Sequence, residues 1–310
     1  LVHEGRQLKE QGRATFHWKI TTNGLLLDDA FLDFSLEHDI LISISVDGIR
    51  EAHDRHRHLA GGAPSFDFVL PKMRRLLAVR PYCSLLMVVN PDTACYLAES
   101  TAFLLNEGCR YLVVSPNYAG AWTDADLAEL QRQYEQLAEL YIEWTLAGRK
   151  FYFSPFDVKL ASHIQGEQAK CGRCELGQRQ ISVDPEGFLY PCVQFTTAGP
   201  KSRWCIGHVT TGLDEELRAN LYAESQREKQ PCCNCAIRHR CQNSCGCLNW
   251  QTTGRIDRVS GFLCRHEQML LRIADRVGET LYQKGCNSFL QKHYDPAYPL
   301  LSLLEDTLMT

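Results

Sequence analysis

The sequence predicts an α/β fold followed by a cysteine-rich α+β segment, and three observations support this prediction. Short apolar segments alternate with amphipathic helical patterns through residues 1–150. These apolar segments lack the polar alternation of half-exposed strands, which is typical of parallel strands buried on both faces. Cysteine is concentrated elsewhere, since twelve of the 15 cysteines follow residue 170.

Composition limits the class of protein and of partner. The chain has 310 residues, of which 45% are hydrophobic and 23% are charged, and its formal net charge is −4. These values are typical of a water-soluble globular protein. The lack of a basic excess argues against a nucleic-acid partner. The lack of an apolar run of about 18 residues argues against a membrane span.

Four strand–helix units are predicted in a row in the first half. Each strand is a short apolar run, and two of these runs end at the turn-forming pairs Asn23-Gly24 and Asp47-Gly48. Each helix has apolar residues at i, i+3 and i+4 spacing, and Asp28 opens the first of them. This alternation is typical of a parallel sheet covered by helices. The predicted strands are 16–22, 41–46, 85–89 and 111–115, and the predicted helices are 28–38, 65–79, 95–107 and 124–146.

Polar residues follow the predicted strands at the edge where parallel sheets bind ligands. Thr22 and Asn23 follow the first strand, and Ser45 and Asp47 end the second. Asn-Gly and Asp-Gly pairs are also ordinary turn formers, so a purely structural role stays open for each pair. Two pairs at the same end of neighbouring strands favour a binding site there. The other members of this group are Asn90, Ser115 and Asn117.

After residue 150 the strand–helix alternation gives way to the cysteine-rich segment. The turn-forming run from Asp184 to Gly187 predicts a hairpin. The predicted elements are strands at 180–183 and 188–193, helices at 213–227 and 263–281, and a last short helix in the tail. The predicted segments are therefore residues 1–150, 151–286 and 287–310.

The thiols are densest between residues 231 and 247, where four of them form the pattern C-x2-C-x5-C-x3-C. With three cysteines upstream and one downstream they make eight candidate ligands, enough for two closed sets of four. Sets of four thiolates bind structural zinc or iron–sulfur clusters, and spacing alone leaves both open. The eight are Cys171, Cys174, Cys192, Cys232, Cys235, Cys241, Cys245 and Cys264.

The other seven cysteines are predicted to be structural. Cys83, Cys95 and Cys109 lie in apolar surroundings and are predicted to be buried core thiols. Four more remain, which are Cys205, Cys233, Cys247 and Cys286. Among these, Cys233 and Cys247 could compete with neighbouring ligands. Disulfide scaffolds are small and secreted, so this many thiols in a long chain indicate a reducing cytoplasm.

The second half resembles the SPASM domain of radical S-adenosylmethionine (SAM) enzymes. The G-x4-C signature from Gly187 to Cys192, the C-x2-C-x5-C-x3-C run and the downstream Cys264 carry this resemblance. It implies two auxiliary [4Fe-4S] clusters. By resemblance, the ligands of the first are Cys171, Cys174, Cys192 and Cys245, and the ligands of the second are Cys232, Cys235, Cys241 and Cys264.

The first half resembles the partial (β/α)6 TIM-like barrel of the same family. Three motifs carry this resemblance, which are Thr22-Asn23-Gly24, Ser45-x-Asp47-Gly48 and His53-Asp54-x2-Arg57. In the family, the end of the barrel that bears these motifs holds SAM. The SAM-binding residues implied by the resemblance are Ser45 and Asp47, followed by Thr22, Asn23 and Arg57.

Two departures from the family pattern bear on function. The C-x3-C-x2-C loop, which carries the family's catalytic cluster, is absent from the 310 residues. We therefore expect an N-terminally incomplete sequence that lacks the first two β-α units and is inactive alone. Sulfatase-maturating members place an aspartate, a proposed base, directly after the G-x4-C cysteine, whereas this sequence has Val193. Val193 counts against formylglycine formation and favours another peptide modification.

The resemblance implies a radical SAM oxidoreductase that modifies a peptide or protein after translation. In the intact enzyme, SAM and a third [4Fe-4S] cluster would supply a 5′-deoxyadenosyl radical that abstracts a hydrogen atom from the substrate. A thioether or other side-chain cross-link is one expected outcome, and a flavodoxin or ferredoxin is the implied reductant. The alternative is a non-catalytic, peptide-binding scaffold stabilised by zinc or iron–sulfur clusters.

Overall fold

The computed structural model describes residues 1–166, 174–230, 232–300 and 302. These residues form two compact units. The first comprises residues 1–117 and 123–158 with the described residues from 276 onward, and the second comprises residues 118–122 with the described residues of 159–275. This division reflects how densely the residues pack within each unit. It does not test the predicted domain boundaries at residues 150 and 286, which stay a prediction.

A five-stranded parallel sheet forms the centre of the first unit, with its strands in chain order. The strands are β1 (Lys19–Thr22), β2 (Leu41–Ser45), β3 (Ser84–Val89), β4 (Tyr111–Pro116) and β5 (Tyr152–Phe153). Ile44, Leu85 and Leu112 are paired across β2, β3 and β4, and each is 0% exposed. Paired residues share one face of a sheet, so this row lies on the covered face. The α/β prediction is confirmed.

The helices alternate with these strands and then continue through the rest of the chain. They are α1 (Val2–Glu10), α2 (Asp29–Glu37), α3 (Arg50–His56), α4 (Phe66–Val79), α5 (Leu97–Asn106), α6 (Asp124–Leu146), α7 (Ser154–Gln165), α8 (Glu215–Ser225), α9 (Gly246–Thr253), α10 (Gly261–Gln283) and α11 (Asn287–Tyr294). α2 begins where its acidic residues predicted, because the Asp28 carboxylate accepts a hydrogen bond from the Phe31 amide. No described helix is long and apolar enough to cross a membrane.

Aromatic side chains fill the core beside α6 and α7. Tyr141 and Phe156 are at most 1% exposed, and their ring centroids lie 5.6 Å apart in an edge-on arrangement. Phe153 of β5 packs edge-on against Phe156 at 5.2 Å. Aromatic pairs in this geometry contribute attraction beyond the burial of their apolar area.

The prediction for the three early cysteines is correct in two cases and wrong in one. Cys83 and Cys109 are buried, as predicted. Cys95 is exposed, because it lies in the 3-10 turn Pro91–Tyr96 that precedes α5. The apolar residues around Cys95 in the sequence therefore do not surround its thiol.

A buried carboxylate joins α7 to the last helix within the first unit. Asp157 is 3% exposed and accepts hydrogen bonds from the Tyr141 hydroxyl at 2.7 Å and the Phe153 amide at 2.6 Å. The Lys292 ammonium of α11 lies 2.6 Å from the same carboxylate. The tail that begins at residue 287 is therefore anchored to the first unit through this ion pair.

The second unit contains a four-stranded antiparallel sheet and a small aromatic core. Its strands are β6 (Ser182–Val183), β7 (Phe188–Tyr190), β8 (Gly207–His208) and β9 (Gly212–Leu213). β6 and β7 confirm the predicted hairpin. Phe195 and Trp204 stack at 4.2 Å between ring centroids, and both are buried. Cys174, Cys192 and Cys245 pack against this core.

Candidate functional site

Thr22 and Asn23 shape the turn that follows β1. The Thr22 hydroxyl accepts a hydrogen bond from the Gly24 amide at 3.1 Å, and the Asn23 side-chain oxygen accepts one from the Leu25 amide at 3.1 Å. Side chains that bond to backbone two residues on are typical turn formers. The turn-forming role that the sequence left open is therefore present for both residues.

Asp47 is held between the end of β2 and the loop that follows α3. It is 5% exposed, and its carboxylate accepts hydrogen bonds from Arg57 at 2.6 and 2.9 Å and from the Val88 amide at 2.9 Å. Ser45, the last residue of β2, is half-buried. The structure thus brings Asp47 and Arg57 together, and Arg57 neutralises the buried carboxylate.

His53 connects the motif residues that follow β2 through hydrogen bonds. The Asp47 amide donates to His53 Nδ1 at 3.3 Å, and His53 Nε2 lies 3.1 Å from the Ser65 hydroxyl. Burial lowers the pKa of His53, so the neutral ring accepts at Nδ1 and donates at Nε2. The Ser65 hydroxyl donates to the Arg57 carbonyl at 2.9 Å. Three motif residues are thereby joined in one network that fixes the strand end.

Gly48 allows the backbone after β2 to approach α5 closely. Its φ is +103°, and a Cβ placed there would lie 2.0 Å from the Ser100 Cβ. The Ser100 hydroxyl accepts a hydrogen bond from the Ile49 amide at 3.2 Å. Only glycine combines this φ with this approach.

Asn90 and Asn117 meet where β3 and β4 end. The Asn117 amide group donates to the Asn90 side-chain oxygen at 2.8 Å. A hydrogen-bonded pair of polar side chains therefore joins the carboxyl ends of β3 and β4. This edge offers hydroxyl, amide and carboxylate groups, which are donors and acceptors suited to a polar ligand.

The first group of predicted ligands converges at the start of α9 in the second unit. Cys174 hydrogen-bonds to Cys245, and Cys192 hydrogen-bonds to Cys247. The Cys245 and Cys247 sulfur atoms lie 3.4 Å apart. Cys171, which the sequence assigns to this group, lies outside the described residues. Three of the four predicted ligands are thus brought together, and Cys247 joins them.

Backbone amides point at these sulfur atoms. The Gly246 amide bonds to Cys174, the Leu248 and Cys247 amides bond to Cys245, and the amides after Cys192 bond to that residue. Hydrogen bonds from Cys174 and Cys247 lower the pKa of Cys245 to about 3. A hydrogen bond from Cys247 lowers the pKa of Cys192 to about 7. The same hydrogen bonds raise the pKa of Cys174 and of Cys247, so thiolate character is favoured at Cys245 and Cys192 and not across the whole group.

The second group is only partly assembled. Cys232 and Cys264 pack against one small hydrophobic cluster, and the Cys235 amide donates to the Cys232 carbonyl at 3.1 Å. Burial raises the pKa of Cys232. The charged groups that act on Cys241 are Glu267 and Lys159, and burial raises the Cys241 pKa to about 12. The structure therefore brings three of these four predicted ligands together and sets Cys241 against charged neighbours.

A buried ion pair supports the loop that carries Cys241. The Lys159 ammonium donates to the Glu267 carboxylate at 2.7 Å, and both residues are at most 2% exposed. The same Glu267 oxygen accepts from the Gln242 amide at 3.1 Å. Glu267 thus fixes the backbone next to Cys241.

A cavity of about 240 Å³ opens beside the second group. Its lining combines thiols with cationic side chains, which favour an anionic occupant. The lining includes Cys232, Cys233, Cys241, Arg227, Lys229 and Arg238, together with one carboxylate, that of Glu228. Cys233 itself is engaged elsewhere, because its thiol donates to the Lys229 carbonyl at 3.6 Å.

The donor chemistry of both groups fits an iron–sulfur cluster. Within the described ranges, no three or more His, Cys, Asp or Glu side chains have the geometry to hold one metal ion. A [4Fe-4S] cluster instead takes one thiolate at each iron, so its ligands surround a larger body. Every cysteine in the described part of the chain is a free thiol. Sulfur-only sets of this kind bind zinc or iron–sulfur clusters.

Comparison with known proteins finds distant similarity to anaerobic sulfatase-maturating enzymes. No protein-family model matches the chain. The chain is 22% identical over 241 residues to the cysteine-type anaerobic sulfatase-maturating enzyme of Clostridium novyi. The aligned residues make up 74% of this chain and 63% of that enzyme. It is 23% identical over 267 residues to the serine-type enzyme of Bacteroides thetaiotaomicron, which covers 79% and 64%. The chain is a distant homologue of the anaerobic sulfatase-maturating enzymes.

Solved structures with a similar fold support the architecture described for this chain. Native anSMEcpe with bound AdoMet (SAM) and Kp18Cys peptide matches it with a TM-score of 0.74 at 18% identity, over 91% of this chain and 81% of that chain. Streptococcus suis SuiB bound to precursor peptide SuiA matches with a TM-score of 0.53 at 14% identity, over 85% and 61%. The chain spans less than two thirds of the length of the two sulfatase-maturating enzymes compared above.

Two features of the candidate sites in this chain could not be assigned firmly from the sequence. Cys247 is predicted to be structural, with the alternative that it competes with neighbouring ligands, and its C-x-C spacing from Cys245 is the signal for a shared site. The pairing of Asp47 with Arg57 was also missed, because a motif gives residue types and not their partners. The assignment of Ser45, Asp47, Thr22, Asn23 and Arg57 to SAM stays a prediction.

Proposed function

We propose that this chain forms the SAM-binding and auxiliary-cluster parts of a radical SAM/SPASM enzyme that modifies a peptide or protein. The observation that carries this proposal is the packing of Cys174, Cys192 and Cys245 against one hydrophobic core of the second unit. The five-stranded sheet is proposed to be the later part of a partial (β/α)6 barrel. The free thiols support work in a reducing cytoplasm.

The first auxiliary [4Fe-4S] cluster is proposed to sit at Cys174, Cys192 and Cys245, with Cys171 as the fourth ligand that the resemblance implies. The second is proposed to sit at Cys232, Cys235, Cys241 and Cys264. Amide groups beside the sulfur atoms stabilise thiolates and set the reduction potential of a bound cluster. The cationic cavity lining beside the second group compensates the negative charge of such a cluster.

SAM is proposed to bind at the strand ends through Ser45, Thr22 and Asn23. Asp47 and Arg57 act there by fixing the loop after β2, because their charges already neutralise each other. SAM and a reduced cluster would supply the radical that abstracts a hydrogen atom from the peptide. This chain's residues would position the sulfonium ligand and exclude water from it.

Radical formation requires residues that these 310 do not supply, because they contain no C-x3-C-x2-C motif. We infer that these 310 residues alone do not cleave SAM and that a flavodoxin or ferredoxin is the reductant wherever the catalytic cluster is supplied. Incubation of the chain with SAM and dithionite should release no 5′-deoxyadenosine. A sulfatase-maturating relative assayed in parallel provides the positive control.

The modification is proposed to be a side-chain cross-link such as a thioether. Val193 directly follows Cys192 and is 57% exposed. An isopropyl side chain cannot accept a proton, so the base proposed for formylglycine formation in the family is missing at this position. The relatives' names favour formylglycine formation, and Val193 is the residue that argues for a different product.

Metal analysis tests the proposal. After anaerobic reconstitution with iron and sulfide, the chain should bind about eight irons and eight sulfides, four for each cluster. A Cys235→Ala variant should lose about half of the iron, whereas Cys95→Ala, at an exposed thiol of the first unit, should lose none. Two zinc ions per purified chain and no iron uptake would contradict the proposal.

One observation favours the zinc-stabilised, non-catalytic peptide scaffold as a second candidate. Two thiolates on one tetrahedral zinc lie about 3.8 Å apart, given a Zn–S distance of about 2.3 Å. The sulfur atoms of Cys245 and Cys247 lie 3.4 Å apart, which is close to the spacing of two thiolates on one zinc ion. The zinc measurement in the same experiment separates the two functions.

A further inference from the structure

Lys229 is a buried cation without a counter-charge. It follows α8 in the chain and is only 8% exposed. Its ammonium donates to the Ser225 carbonyl at 2.7 Å and to the Arg227 carbonyl at 3.4 Å. Among the residues that the structure describes, no carboxylate forms an ion pair with this ammonium. A buried charge that is left unpaired destabilises a fold unless another group neutralises it.

The carboxylates of the surrounding segments are engaged with other cations. Asp257 attracts Lys229 from farther away, but its two oxygens accept hydrogen bonds from Arg255, each at 2.9 Å. Glu224 of α8 pairs with Arg203. Neither carboxylate is therefore available to compensate the Lys229 ammonium at short range.

The cavity beside the second cysteine group brings Lys229 next to candidate cluster ligands. Cys232 and Cys241 line this cavity of about 240 Å³ together with Lys229. The Cys232 amide also donates to the Lys229 carbonyl at 2.6 Å. Positive charge is in excess in the lining, because three cationic side chains face one carboxylate there. These charged residues are Arg227, Lys229, Arg238 and Glu228. An anion in the cavity would neutralise the buried ammonium.

Helix capping explains only part of this arrangement. A lysine close to the end of a helix commonly bonds to the last carbonyls, and Ser225 is the last residue of α8. A capping lysine has no need of burial, since long cationic side chains usually keep the ammonium in water. The burial of Lys229 beside an electropositive cavity is the feature that capping leaves unexplained.

We propose that Lys229 is the buried counter-charge of the second auxiliary cluster and raises the reduction potential of that cluster. This inference rests on the proposed function, because it requires a cluster at Cys232, Cys235, Cys241 and Cys264. Four thiolates exceed the positive charge of the oxidised core, so a [4Fe-4S] cluster is an anion, and reduction by one electron adds a further negative charge. A fixed cation beside it therefore stabilises the reduced form more than the oxidised form.

The test compares charge variants of the full chain after anaerobic reconstitution with iron and sulfide. Each is titrated with dithionite, and the reduced clusters are followed by electron paramagnetic resonance. Lys229→Met replaces the ammonium by an uncharged side chain of similar length and should make one of the two reduction potentials more negative. Lys229→Arg keeps the charge and should keep both potentials. Lys201→Met is the matched control, because Lys201 is an exposed lysine of the same unit, and it should change neither potential.

Thermal unfolding separates the counter-charge role from helix capping. If Lys229 only caps α8, Lys229→Met should lower the unfolding temperatures of the iron-free and reconstituted chains equally and leave both potentials unchanged. A counter-charge is needed only when the cluster is bound. Lys229→Met should therefore lower the unfolding temperature of the reconstituted chain more than that of the iron-free chain.

The outcomes also separate this inference from the proposed function. Unchanged potentials in Lys229→Met overturn the inference, as does an equal shift in Lys201→Met. In a Cys235→Ala chain, which should keep only the first cluster, Lys229→Met should leave the remaining potential nearly unchanged, and a full shift there overturns the assignment to the second cluster. Absence of iron from the unsubstituted chain overturns the proposed function itself. If Lys229→Met does not fold, Lys229→Gln replaces it with the same expected shift.

Discussion

Arg57 donates two hydrogen bonds to Asp47, from Nε at 2.6 Å and from Nη2 at 2.9 Å. A two-pronged pair of this kind fixes the relative orientation of both side chains. The Asp47 carboxylate also accepts from the amide of Val88 in β3. The pair therefore holds the loop after α3 against the ends of two adjacent strands.

Loss of Arg57 should destabilise the first unit. Arg57→Ala leaves a buried carboxylate without its counter-charge, and we expect the free energy of unfolding to fall by about 3 kcal/mol. Arg55→Ala is the control, since Arg55 and Asp92 pair at 63% and 39% side-chain exposure, and it should cost less than about 1 kcal/mol. Urea denaturation measures both, and equal losses would contradict the assigned role.

Alanine at Gly48 should be poorly tolerated. Its Cβ would clash with Ser100 in addition to the cost of a positive φ, and we expect a loss of about 3 kcal/mol in urea denaturation. Gly62→Ala has a comparable φ of +82° with nothing within 4 Å, so it should cost only about 1 kcal/mol. In a Ser100→Gly background the Gly48→Ala cost should fall part of the way toward the Gly62 value, because the backbone Cα of residue 100 still lies 3.0 Å from the added Cβ. An unchanged cost would show that the side-chain clash is not the cause.

Acid should weaken the first unit through Asp157. Burial opposes ionisation, but Lys292 and His293 outweigh it and lower the Asp157 pKa to about 2. A depressed carboxyl pKa stabilises the folded state above the unfolded pKa of about 3.9, and this contribution is lost as the pH falls toward 2. Between pH 5 and pH 2.5 the chain should therefore lose on the order of 1–2 kcal/mol more than Asp157→Asn does. Exposed Asp33→Asn should follow the unsubstituted protein, and identical profiles for all three would refute the assignment.

Alkylation should distinguish the early thiols. Burial raises the pKa of Cys83 and of Cys109 to about 12, whereas Cys95 is exposed. Iodoacetamide at neutral pH should modify Cys95 at least about tenfold faster, because the thiolate is the nucleophile and must be accessible. Peptide mass spectrometry measures the three rates, and in urea they should become similar. Comparable rates in the folded protein would show that Cys83 and Cys109 open readily.

The elements with strong local signals could be predicted from the sequence. The strands β2, β3 and β4 are rich in Leu, Ile and Val, and α6 spans residues 124–146 as its pattern indicates. β5 has two residues and pairs only with Tyr111 and Leu112, so it is too short to show a period. α9 begins at Gly246 between two cysteines, and its sequence shows metal-ligand spacing more strongly than helical propensity.

The candidate sites were predicted as residue types, and their partners were not. Ser45 and Asp47 stand at the predicted strand end, and Cys192 and Cys245 approach each other as the resemblance implies. The Asp157–Lys292 pair joins residues far apart in the chain, and no local pattern encodes such a pair. Tertiary packing, which decides these contacts, is absent from motif spacing.

The Asp157–Lys292 pair also sets the order in which a nascent chain can finish folding. Asp157 is synthesised before the described residues of 159–275, which form most of the second unit, and Lys292 is synthesised after them. Because a chain is synthesised at about 5–20 residues per second, the ion pair between Asp157 and Lys292 can form only on the order of ten seconds after Asp157 is made. The first unit begins first and closes last, so during synthesis it is the half that most needs protection from aggregation.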